Sequence, residues 1–329
     1  MKLYKFLSGL FIAGLILNAQ AKDQQIVIKF SHIAAPDTPK GKAAEHFKKL
    51  AEQYTKNKIK VEVYPNGKLI KDKDEMDALQ KGDVQMLAPS LSKLAPLGIK
   101  EFEIFDMPYI FNDYKDLHGI TRGQVGKDLF NRLEVKGILG LAYWDNAFKQ
   151  MSANKPLRKP DDFKNLKMRI QSSKIIDLQM QSLGATPVVI PFIEVYKALQ
   201  TKTVDGTENS ISNFYTQNIH EVQKFLTLTN HGYLGYAVIA NKKFWDKLPD
   251  DVKNDLTKAM TEATDFANDI AKKENDDALA KVKASGKTEI IELTAEEKAA
   301  LKKAMITSHD KQDIIPKAFL RWWLCGDKC

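Results

Sequence analysis

The spacing of apolar residues between positions 166 and 210 predicts a run of alternating short strands and helices. Two apolar segments, Lys167–Ile170 and Pro187–Ile190, have the length and the β-branched content of buried strands. The segments 174–183 and 192–200 instead repeat their apolar residues at helical spacing. The resulting order of strand, helix, strand, helix and strand indicates an open α/β layer. Such layers bind ligands beyond the carboxyl ends of their strands.

The first half of the chain has a similar alternation of strand and helix patterns. Strands are predicted at 25–30, 59–64, 84–88 and 137–144, and helices after the start signal Thr38-Pro39, at 74–80 and at 114–133. The segment Ala78–Val84 (ALQKGDV) also resembles Ala198–Val204 (ALQTKTV), and both copies end a short helix and lead into a strand. This internal similarity predicts two lobes of similar construction.

A third pattern, nearer the C-terminus, predicts one unusually long helix. Pro249 opens it, apolar residues at helical spacing continue as far as Val282, and Gly286 ends it. A helix of about 35 residues, rising about 1.5 Å per residue, is about 50 Å long, which is more than the width of a small domain. We therefore expect this helix to bridge both lobes, provided that it is not broken in the charged segment 272–277.

Residues 1–21 have the pattern of a cleaved export signal. Two lysines are followed by the apolar segment Phe6–Leu17 and by the small residues of Ala19-Gln20-Ala21. The alternative is a membrane anchor, but this apolar segment is too short to span about 30 Å of hydrocarbon. We expect the chain to be exported and released, and the mature chain to begin at Lys22.

The 329 residues include 43% hydrophobic and 28% charged residues, an ordinary composition for a globular protein. Removing the two leader lysines lowers the formal net charge from +8 to +6 (8 − 2). Lysines and acidic residues are interspersed, as in the segment 71–75 (KDKDE), which predicts a solvated mixed surface and no nucleic-acid interface. Cys325 and Cys329 are the only cysteines and can form a small terminal disulfide in an oxidising compartment.

The sequence contains none of the common catalytic or phosphate-binding motifs. The patterns G-x-S-x-G, H-E-x-x-H, G-x-G-x-x-G and G-x-x-x-x-G-K-[ST] are all absent. The six histidines are scattered, and no two of them lie four residues apart. We therefore expect no enzymatic activity, no metal and no cofactor.

Several polar groups near the ends of predicted elements are suited to an anionic ligand. Arg169 ends the first strand of the central stretch, where its guanidinium can hold a carboxylate or phosphate; the alternative is a surface ion pair. Lys149 lies where the chain passes between the predicted lobes, and a solvated lysine is an equal alternative. Lys40 lies in the first turn of a helix, against the helix dipole unless an anion is bound. Asn209 can orient a ligand or cap the next helix.

Together these residues resemble the extracytoplasmic solute-binding proteins of tripartite ATP-independent periplasmic (TRAP) transporters, over about Gln25 to Ser308. The family resemblance is carried by four segments: Leu166–Arg169 (LKMR), Leu183–Pro187 (LGATP), Pro191–Gln200 (PFIEVYKALQ) and Val204–Asn209 (VDGTEN). Within the family the chain is similar to the C4-dicarboxylate group in Phe30–His32 with Asp37–Lys42, in Met86–Ser90, and in Tyr143–Asn146 with Phe148–Asn154. Sialic-acid-binding members carry a glutamate at the position of Pro89, so that ligand is disfavoured.

The resemblance implies a two-lobed α/β fold of the periplasmic-binding-protein type. Each lobe is expected to be a β-sheet flanked by helices, with a long helix spanning both lobes and the ligand cleft between them. We expect lobe I to comprise residues 22–146 plus 235–274, and lobe II to comprise residues 147–234 plus 275–329. The last segment, Phe319–Cys329, departs from the usual ending of the family.

The resemblance also implies roles for individual residues. Arg169 is expected to hold a ligand carboxylate, Asn209 to hydrogen-bond the same group, and Phe192 to pack against the carbon chain of the ligand. The second basic residue of the family matches Lys149, and Lys40 is the other candidate for a second carboxylate. We include three further candidate ligand contacts: Ser90, Trp144 and Tyr233.

These features predict a monomeric periplasmic protein that captures C4-dicarboxylates such as succinate, malate or fumarate. It would deliver them to the small and large integral membrane subunits of a TRAP transporter. One alternative is a TRAP binding protein for a monocarboxylate or 2-oxo acid. Another is a secreted enzyme or a sensory module that acts on an anionic ligand.

Overall fold

The structure, a computed structural model, describes residues 25–313 and residue 315. The predicted export signal (1–21) and the two cysteines, Cys325 and Cys329, lie outside the described residues. In the part that is described, eleven strands form two sheets, against which the helices pack. No helix of this part has both the length and the apolar character needed to cross a lipid bilayer.

The bounds of the elements are as follows. The strands are β1 (Ile26–Ser31), β2 (Ile59–Tyr64), β3 (Met86–Leu87), β4 (Ile138–Phe148), β5 (Gln150–Ala153), β6 (Lys167–Ile170), β7 (Thr186–Val189), β8 (Gly206–Asn209), β9 (Phe225–Leu228), β10 (Tyr233–Asn241) and β11 (Glu289–Glu292). The α-helices are α1 (Pro39–Tyr54), α2 (Glu75–Lys81), α3 (Tyr114–Thr121), α4 (Gln124–Asn131), α5 (Lys174–Ser182), α6 (Val195–Gln200), α7 (Ile211–Thr216), α8 (Lys242–Asp246), α9 (Asp250–Ser285), α10 (Ala295–Met305) and α11 (Thr307–Lys311). Short 3-10 helices cover Asp72–Asp74, Leu91–Lys93, Ala95–Leu97, Lys100–Asp106, Glu134–Lys136, Pro160–Phe163, Phe192–Glu194 and Ile219–Glu221.

The two sheets are built on one plan. The first has the strand order β2-β1-β3-β10-β4, and the second has the order β11-β9-β5-β8-β6-β7. In the first sheet β1 lies between β2 and β3 and parallel to both, and in the second β6 lies in the same way between β7 and β8. An antiparallel strand comes next in each sheet, β10 beside β3 and β5 beside β8. The predicted two-lobed α/β fold is confirmed.

The internal sequence similarity marks one structural position in both lobes. Ala78–Val84 covers the end of α2 before β3, and Ala198–Val204 covers the end of α6 before β8. Gly82 and Lys202, just after the two helices, both have a positive φ, of 87° and 59°. The same left-handed turn therefore leads from helix to strand in both lobes. In lobe I the residue at this turn is a glycine, which adopts the left-handed conformation readily.

Three connections of the described chain join the lobes. β4 leads into β5 through Lys149, β9 leads into β10 through residues 229–232, and α9 contacts both β4 of lobe I and α7 of lobe II. The first two connections adjoin the expected lobe boundaries at 146/147 and 234/235. The expected division of the chain at 274/275 falls inside α9 and stays a prediction.

One predicted element, the single helix at 114–133, is wrong. The structure has two helices, α3 and α4, separated by two residues that include Gly123. A Cβ at Gly123 would lie 2.4 Å from the carbonyl oxygen of Gly119, so a larger residue does not fit this turn. Leu117 and Leu129 on either side of the turn are both fully buried. The apolar spacing thus continues across the break, which the pattern alone does not reveal.

The long helix α9 is confirmed as one uninterrupted element of 36 residues, which is about 54 Å at 1.5 Å per residue. In its charged segment, Lys272 and Lys273 form ion pairs at 2.5 Å with Asp276 and Asp277, one turn further on. Such i,i+4 pairs favour the helical conformation. The side of α9 that packs near α1 and β4 carries small buried residues: Ala259, Ala263, Ala267 and Ala271.

We expect Leu256→Ala to lower the free energy of unfolding by about 2–5 kcal/mol, because it leaves a cavity in the core of lobe I. Leu256, on α9, is fully buried in that core. Denaturant unfolding followed by circular dichroism measures the change. Lys272→Ala, on the exposed part of the same helix, is the control and should shift the stability by less than about 0.5 kcal/mol. Equal losses in both variants would contradict the orientation of α9.

Candidate ligand-binding site

A cavity of about 400 Å³ collects side chains from both lobes. Five of the eight candidate ligand contacts line it: Lys40, Ser90, Arg169, Phe192 and Asn209. The carboxyl ends of β6 and β8 contribute Arg169 and Asn209, and the first turn of α1 contributes Lys40. The cavity therefore lies where the parallel strands end, as expected for an α/β layer.

Arg169 is buried in the cavity wall with most of its hydrogen-bonding capacity unused. Its side chain is anchored by one hydrogen bond, in which Nε donates to the carbonyl oxygen of Ile190 at 2.9 Å. The guanidinium carbon also lies 6.0 Å from the ring centroid of Phe192, within cation–π range. Among the described residues no carboxylate lies within 4.0 Å of the guanidinium. Burial lowers the pKa of Arg169 to about 10, so it stays charged at neutral pH.

Asn209 ends β8, and the side-chain amide is oriented by its neighbours. Its Oδ1 accepts hydrogen bonds from the backbone N–H of Ser210 at 2.9 Å and from Nδ2 of Asn213 at 3.1 Å. Its own Nδ2 donates to no residue in the described part of the chain. The helix-capping alternative for Asn209 is not what the structure shows, because the hydroxyl of Ser210 caps α7. Asn209 therefore presents a free donor close to Arg169.

Lys40 is a buried cation that lobe I contributes to the cavity. It is 1% exposed, its Nζ donates to the carbonyl oxygen of Ala88 at 2.9 Å, and the same atom lies 3.8 Å from the ring centroid of Tyr236. Within residues 25–313 and 315 no carboxylate lies within ion-pair distance of this ammonium group. Burial lowers the pKa of Lys40 to about 7. An anion placed beside Lys40 would favour its charged form.

Lys93 is a third cation in the cavity, and the sequence did not indicate it. Its Nζ forms ion pairs with Asp72 and, at 2.5 Å, with Glu75. The pKa of Lys93 is lowered to about 7 by burial and by the nearby charges of Lys40 and Arg169. The expectation that the segment 71–75 is entirely surface is wrong for Asp72 and Glu75, which are only 9% and 1% exposed. The turn before α2 directs these two acids inward, onto Lys93.

Four further groups in the wall of the cavity are polar or aromatic. The hydroxyl of Ser90 is buried and has no hydrogen-bond partner among the described residues. The Tyr236 hydroxyl accepts a hydrogen bond from Nδ2 of Asn146 at 2.8 Å and, at 3.4 Å, one from Asn213. Tyr236 and Asn213 were not among the sequence-based candidates, and Phe192 supplies an apolar surface. The cavity thus combines cations, free polar groups and two aromatic rings, those of Phe192 and Tyr236.

The structure places Lys149 outside this cavity, which corrects its assignment as the second basic ligand contact. Its Nζ lies 2.9 Å from the carboxylate of Glu208 and 3.7 Å from that of Asp106, and the side chain is 3% exposed. Burial disfavours ionisation of Glu208, but Lys149 and His231 outweigh this and lower its pKa to about 2. Lys149 is therefore already neutralised by a protein carboxylate. It holds the connection between the lobes together.

Trp144 and Tyr233 are also corrected, because both are core residues that do not line the cavity. Trp144 is fully buried against Phe30, with ring centroids 6.0 Å apart, and its indole N–H donates to Thr264 at 3.0 Å. Tyr233 is 3% exposed, and its hydroxyl donates to the Asp145 carboxylate at 2.6 Å. The polar atoms of both side chains are satisfied by the protein.

This arrangement is suited to holding a small anion and offers no obvious chemistry beyond binding. Arg169 and Asn209 converge from lobe II, and Lys40 and Ser90 come from lobe I. In the part of the chain that the structure describes, no cluster of histidine, cysteine and acidic side chains is arranged to hold a metal ion. Two cations that lack protein carboxylates can each meet one negative group of a ligand.

Comparisons with known proteins point in the same direction. A family model for the bacterial extracellular solute-binding proteins of family 7 matches residues 30–313. The C4-dicarboxylate-binding periplasmic protein DctP of Rhodobacter capsulatus is 59% identical over 305 residues, which cover 93% of this chain and 92% of that protein. A TRAP periplasmic solute-binding protein structure from Sulfurospirillum deleyianum with bound succinate is 42% identical, with a TM-score of 0.88 and coverage of 91% of this chain and 98% of that chain. Another from Pseudomonas aeruginosa, with bound L-malate, is 42% identical, with a TM-score of 0.85 and coverage of 87% and 100%.

The burial of Lys40 predicts a pH-dependent stability that Lys40→Met should remove. The pKa of Lys40 falls from 10.5 to about 7 on folding, so the unfolded chain binds more protons between these values. From pH 8.5 to 10 the free energy of unfolding should rise more steeply in the wild type than in Lys40→Met, by about 1.4 kcal/mol per pH unit. Guanidinium unfolding of ligand-stripped protein measures both slopes. Equal slopes would show that Lys40 stays charged in the folded protein.

Proposed function

Because this chain belongs to family 7 of the bacterial extracellular solute-binding proteins, we propose that it captures C4-dicarboxylates such as succinate, malate and fumarate and delivers them to a TRAP transporter. The members of this family are binding proteins and not enzymes. The observation that carries the proposal is that Arg169 and Asn209 of lobe II share one cavity with Lys40 of lobe I. The similar proteins with C4-dicarboxylate names, succinate or L-malate support the same ligand class.

In the proposed complex the two carboxylates of the ligand meet the two lobes. One carboxylate pairs with Arg169 and accepts a hydrogen bond from Asn209, and the other lies at Lys40 and Ser90. The carbon chain between them packs against Phe192. A monocarboxylate would leave one buried cation without a partner, which costs free energy. Binding between the two cations, Arg169 and Lys40, therefore selects a diacid over a monoacid of similar size.

Binding and closure of the cleft are coupled in this proposal. Because the ligand bridges groups from two lobes, it has its full set of contacts only when the lobes are close together. A ligand shifts the equilibrium towards closure only by its preference for the closed state. The connections at Lys149 and at residues 229–232 join the two sheets and are the natural hinge points.

The proposal extends to the location and the partners of the protein. The leader at 1–21 would direct the chain to the periplasm, where the mature protein acts as a monomer. The closed, loaded form would dock on the small and large integral membrane subunits of the transporter. Release of the dicarboxylate to these subunits would then reopen the cleft.

We expect C4-dicarboxylates to raise the melting temperature of ligand-stripped protein (residues 22–329), and acetate or pyruvate to leave it unchanged. A ligand at 100 times its dissociation constant adds about 2.7 kcal/mol to the free energy of unfolding. At about 2–4 °C per kcal/mol, this is a shift of several degrees. Thermal unfolding against a panel of mono- and dicarboxylates measures it. A shift with monoacids alone would discard the dicarboxylate assignment, and no shift with any acid would discard the proposed function.

We expect Arg169→Ala to weaken succinate binding by at least about 2 kcal/mol, or about 30-fold in dissociation constant, because a buried charge pair is lost. Arg169→Lys should also weaken binding, because lysine cannot form the two parallel hydrogen bonds of a guanidinium. Isothermal titration calorimetry measures both changes. The matched control is Arg158→Lys, since Arg158 forms an exposed pair with Glu297 and should leave the affinity unchanged. Unchanged affinity in both Arg169 variants would remove this residue from the site.

A further inference from the structure

A buried hydrogen bond joins the two lobes at the edge of the cavity. The carboxylate of Asp72, in lobe I, accepts the backbone N–H of Phe192, in lobe II, with an N···O distance of 2.8 Å. Asp72 opens the 3-10 helix after β2, and Phe192 opens the 3-10 helix after β7. The two residues are 9% and 7% exposed. This contact exists only while the two lobes lie against each other.

The Asp72 carboxylate is held in place from its own lobe. Its ion pair with Lys93 is buried, and the Nζ of Lys93 also donates to the backbone oxygen of Asp72 at 2.9 Å. Glu75 fixes the same ammonium group from the next turn. Lys93 therefore holds the carboxylate that accepts the Phe192 N–H in a fixed position. Hydrogen bonds to charged acceptors are stronger than neutral ones.

The donor side of the contact is held by the principal ligand residue. Arg169 donates from Nε to the carbonyl oxygen of Ile190, and its guanidinium faces the ring of Phe192. The segment 190–192 thus connects Arg169 to Asp72 across the cleft. A ligand that orders Arg169 also orders the segment that presents the N–H to Asp72.

Apolar packing shields this hydrogen bond from water. Ile33, which follows β1 in lobe I, is 7% exposed and belongs to the hydrophobic cluster of lobe II that includes Phe192, Val195 and Phe214. A hydrogen bond in such low-dielectric surroundings is stronger than one in water. The rim of the cleft therefore combines a charged acceptor, a backbone donor and an apolar contact.

We propose that Asp72 is an interlobe latch, a positioning residue that slows ligand release by holding the cleft closed. It acts through the Phe192 N–H and not through the ligand. The inference rests on the proposed function, because it assigns the control of residence time in that same cleft. Loss of the latch should raise the dissociation rate constant and leave the association rate constant nearly unchanged, because ligand enters the open form.

The test compares Asp72→Ala and Asp72→Asn with wild type by stopped-flow displacement of succinate, L-malate and fumarate. Asp72→Ala should raise the dissociation rate by about ten- to a hundredfold, the range expected for a hydrogen bond to a charged group. Asp72→Asn keeps an acceptor oxygen and should show a smaller increase. The matched control is Asp74→Ala, which removes the same charge from an exposed position in the same turn and should leave the rates unchanged.

The pattern across ligands separates a latch from a ligand contact. A latch predicts the same factor for all three diacids, whereas a factor that depends on the ligand, or a change in association rate alone, would overturn the proposal. Small-angle X-ray scattering of the same variants measures lobe opening directly.

If no diacid binds the wild type, the proposed function fails. The latch is then judged from scattering without ligand: a larger radius of gyration in Asp72→Ala than in Asp74→Ala supports it, and equal radii overturn it.

Discussion

The burial of two cations without carboxylate partners among the described residues is the constraint on which this structure depends. Arg169 and Lys40 are 2% and 1% exposed, and each contacts a carbonyl oxygen and an aromatic ring. Glu208 and Glu75 favour their charged forms only from beyond ion-pair distance. A buried charge with so little compensation is costly, and burial accordingly lowers the pKa values of both groups. The fold supplies these charges from separate lobes. An anion that bridges them removes the electrostatic penalty in both lobes at once.

In the proposed site, a buried cation without a carboxylate partner from the protein is a ligand contact, and a buried cation with such a partner is a structural residue. Lys149 and Lys40 are the same residue type and are equally buried, at 2% and 1% exposure. Lys149 is neutralised by Glu208 at 2.9 Å, so a ligand carboxylate would compete with a protein carboxylate for it. Lys93 is intermediate, because its partners Asp72 and Glu75 keep it at the cavity wall while its charge is used within lobe I. In the proposed site, therefore, the ligand contacts are the two buried cations that lack such a partner.

The sequence predicted those features that local spacing controls. The strand bounds Lys167–Ile170 and Ile59–Tyr64 agree with the structure, as do the uninterrupted α9 and the position of Arg169 at the end of a parallel strand. The predictions that failed concern features that depend on tertiary structure. Gly123 breaks a helix inside a continuous apolar pattern, and Asp72 and Glu75 turn inward onto Lys93, about twenty residues further on.

The candidate ligand contacts also show the difference between what local spacing predicts and what depends on tertiary structure. Trp144 and Tyr233 lie in β4 and β10, close in sequence to polar residues near the cleft, but their side chains face the cores. Tyr236, three residues after Tyr233, is the aromatic residue that lines the cavity. Which of two nearby tyrosines faces a ligand depends on how a strand is placed between layers. Neither composition nor spacing within one strand contains that information.

A network of polar side chains behind Tyr236 suggests where the lobes would pivot. Asn146, at the end of β4, donates to the Tyr236 hydroxyl at 2.8 Å and accepts from the Ser212 hydroxyl at 2.8 Å. Asn275, in α9, donates to the Asn146 carbonyl oxygen at 3.1 Å and accepts from the Ser212 N–H at 2.9 Å. This network ties both lobes and α9 together, and a satisfied buried network is rigid. We therefore expect the relative motion of the lobes to be smallest near Asn146, so that a contact between the lobes far from this network has the greatest leverage over opening.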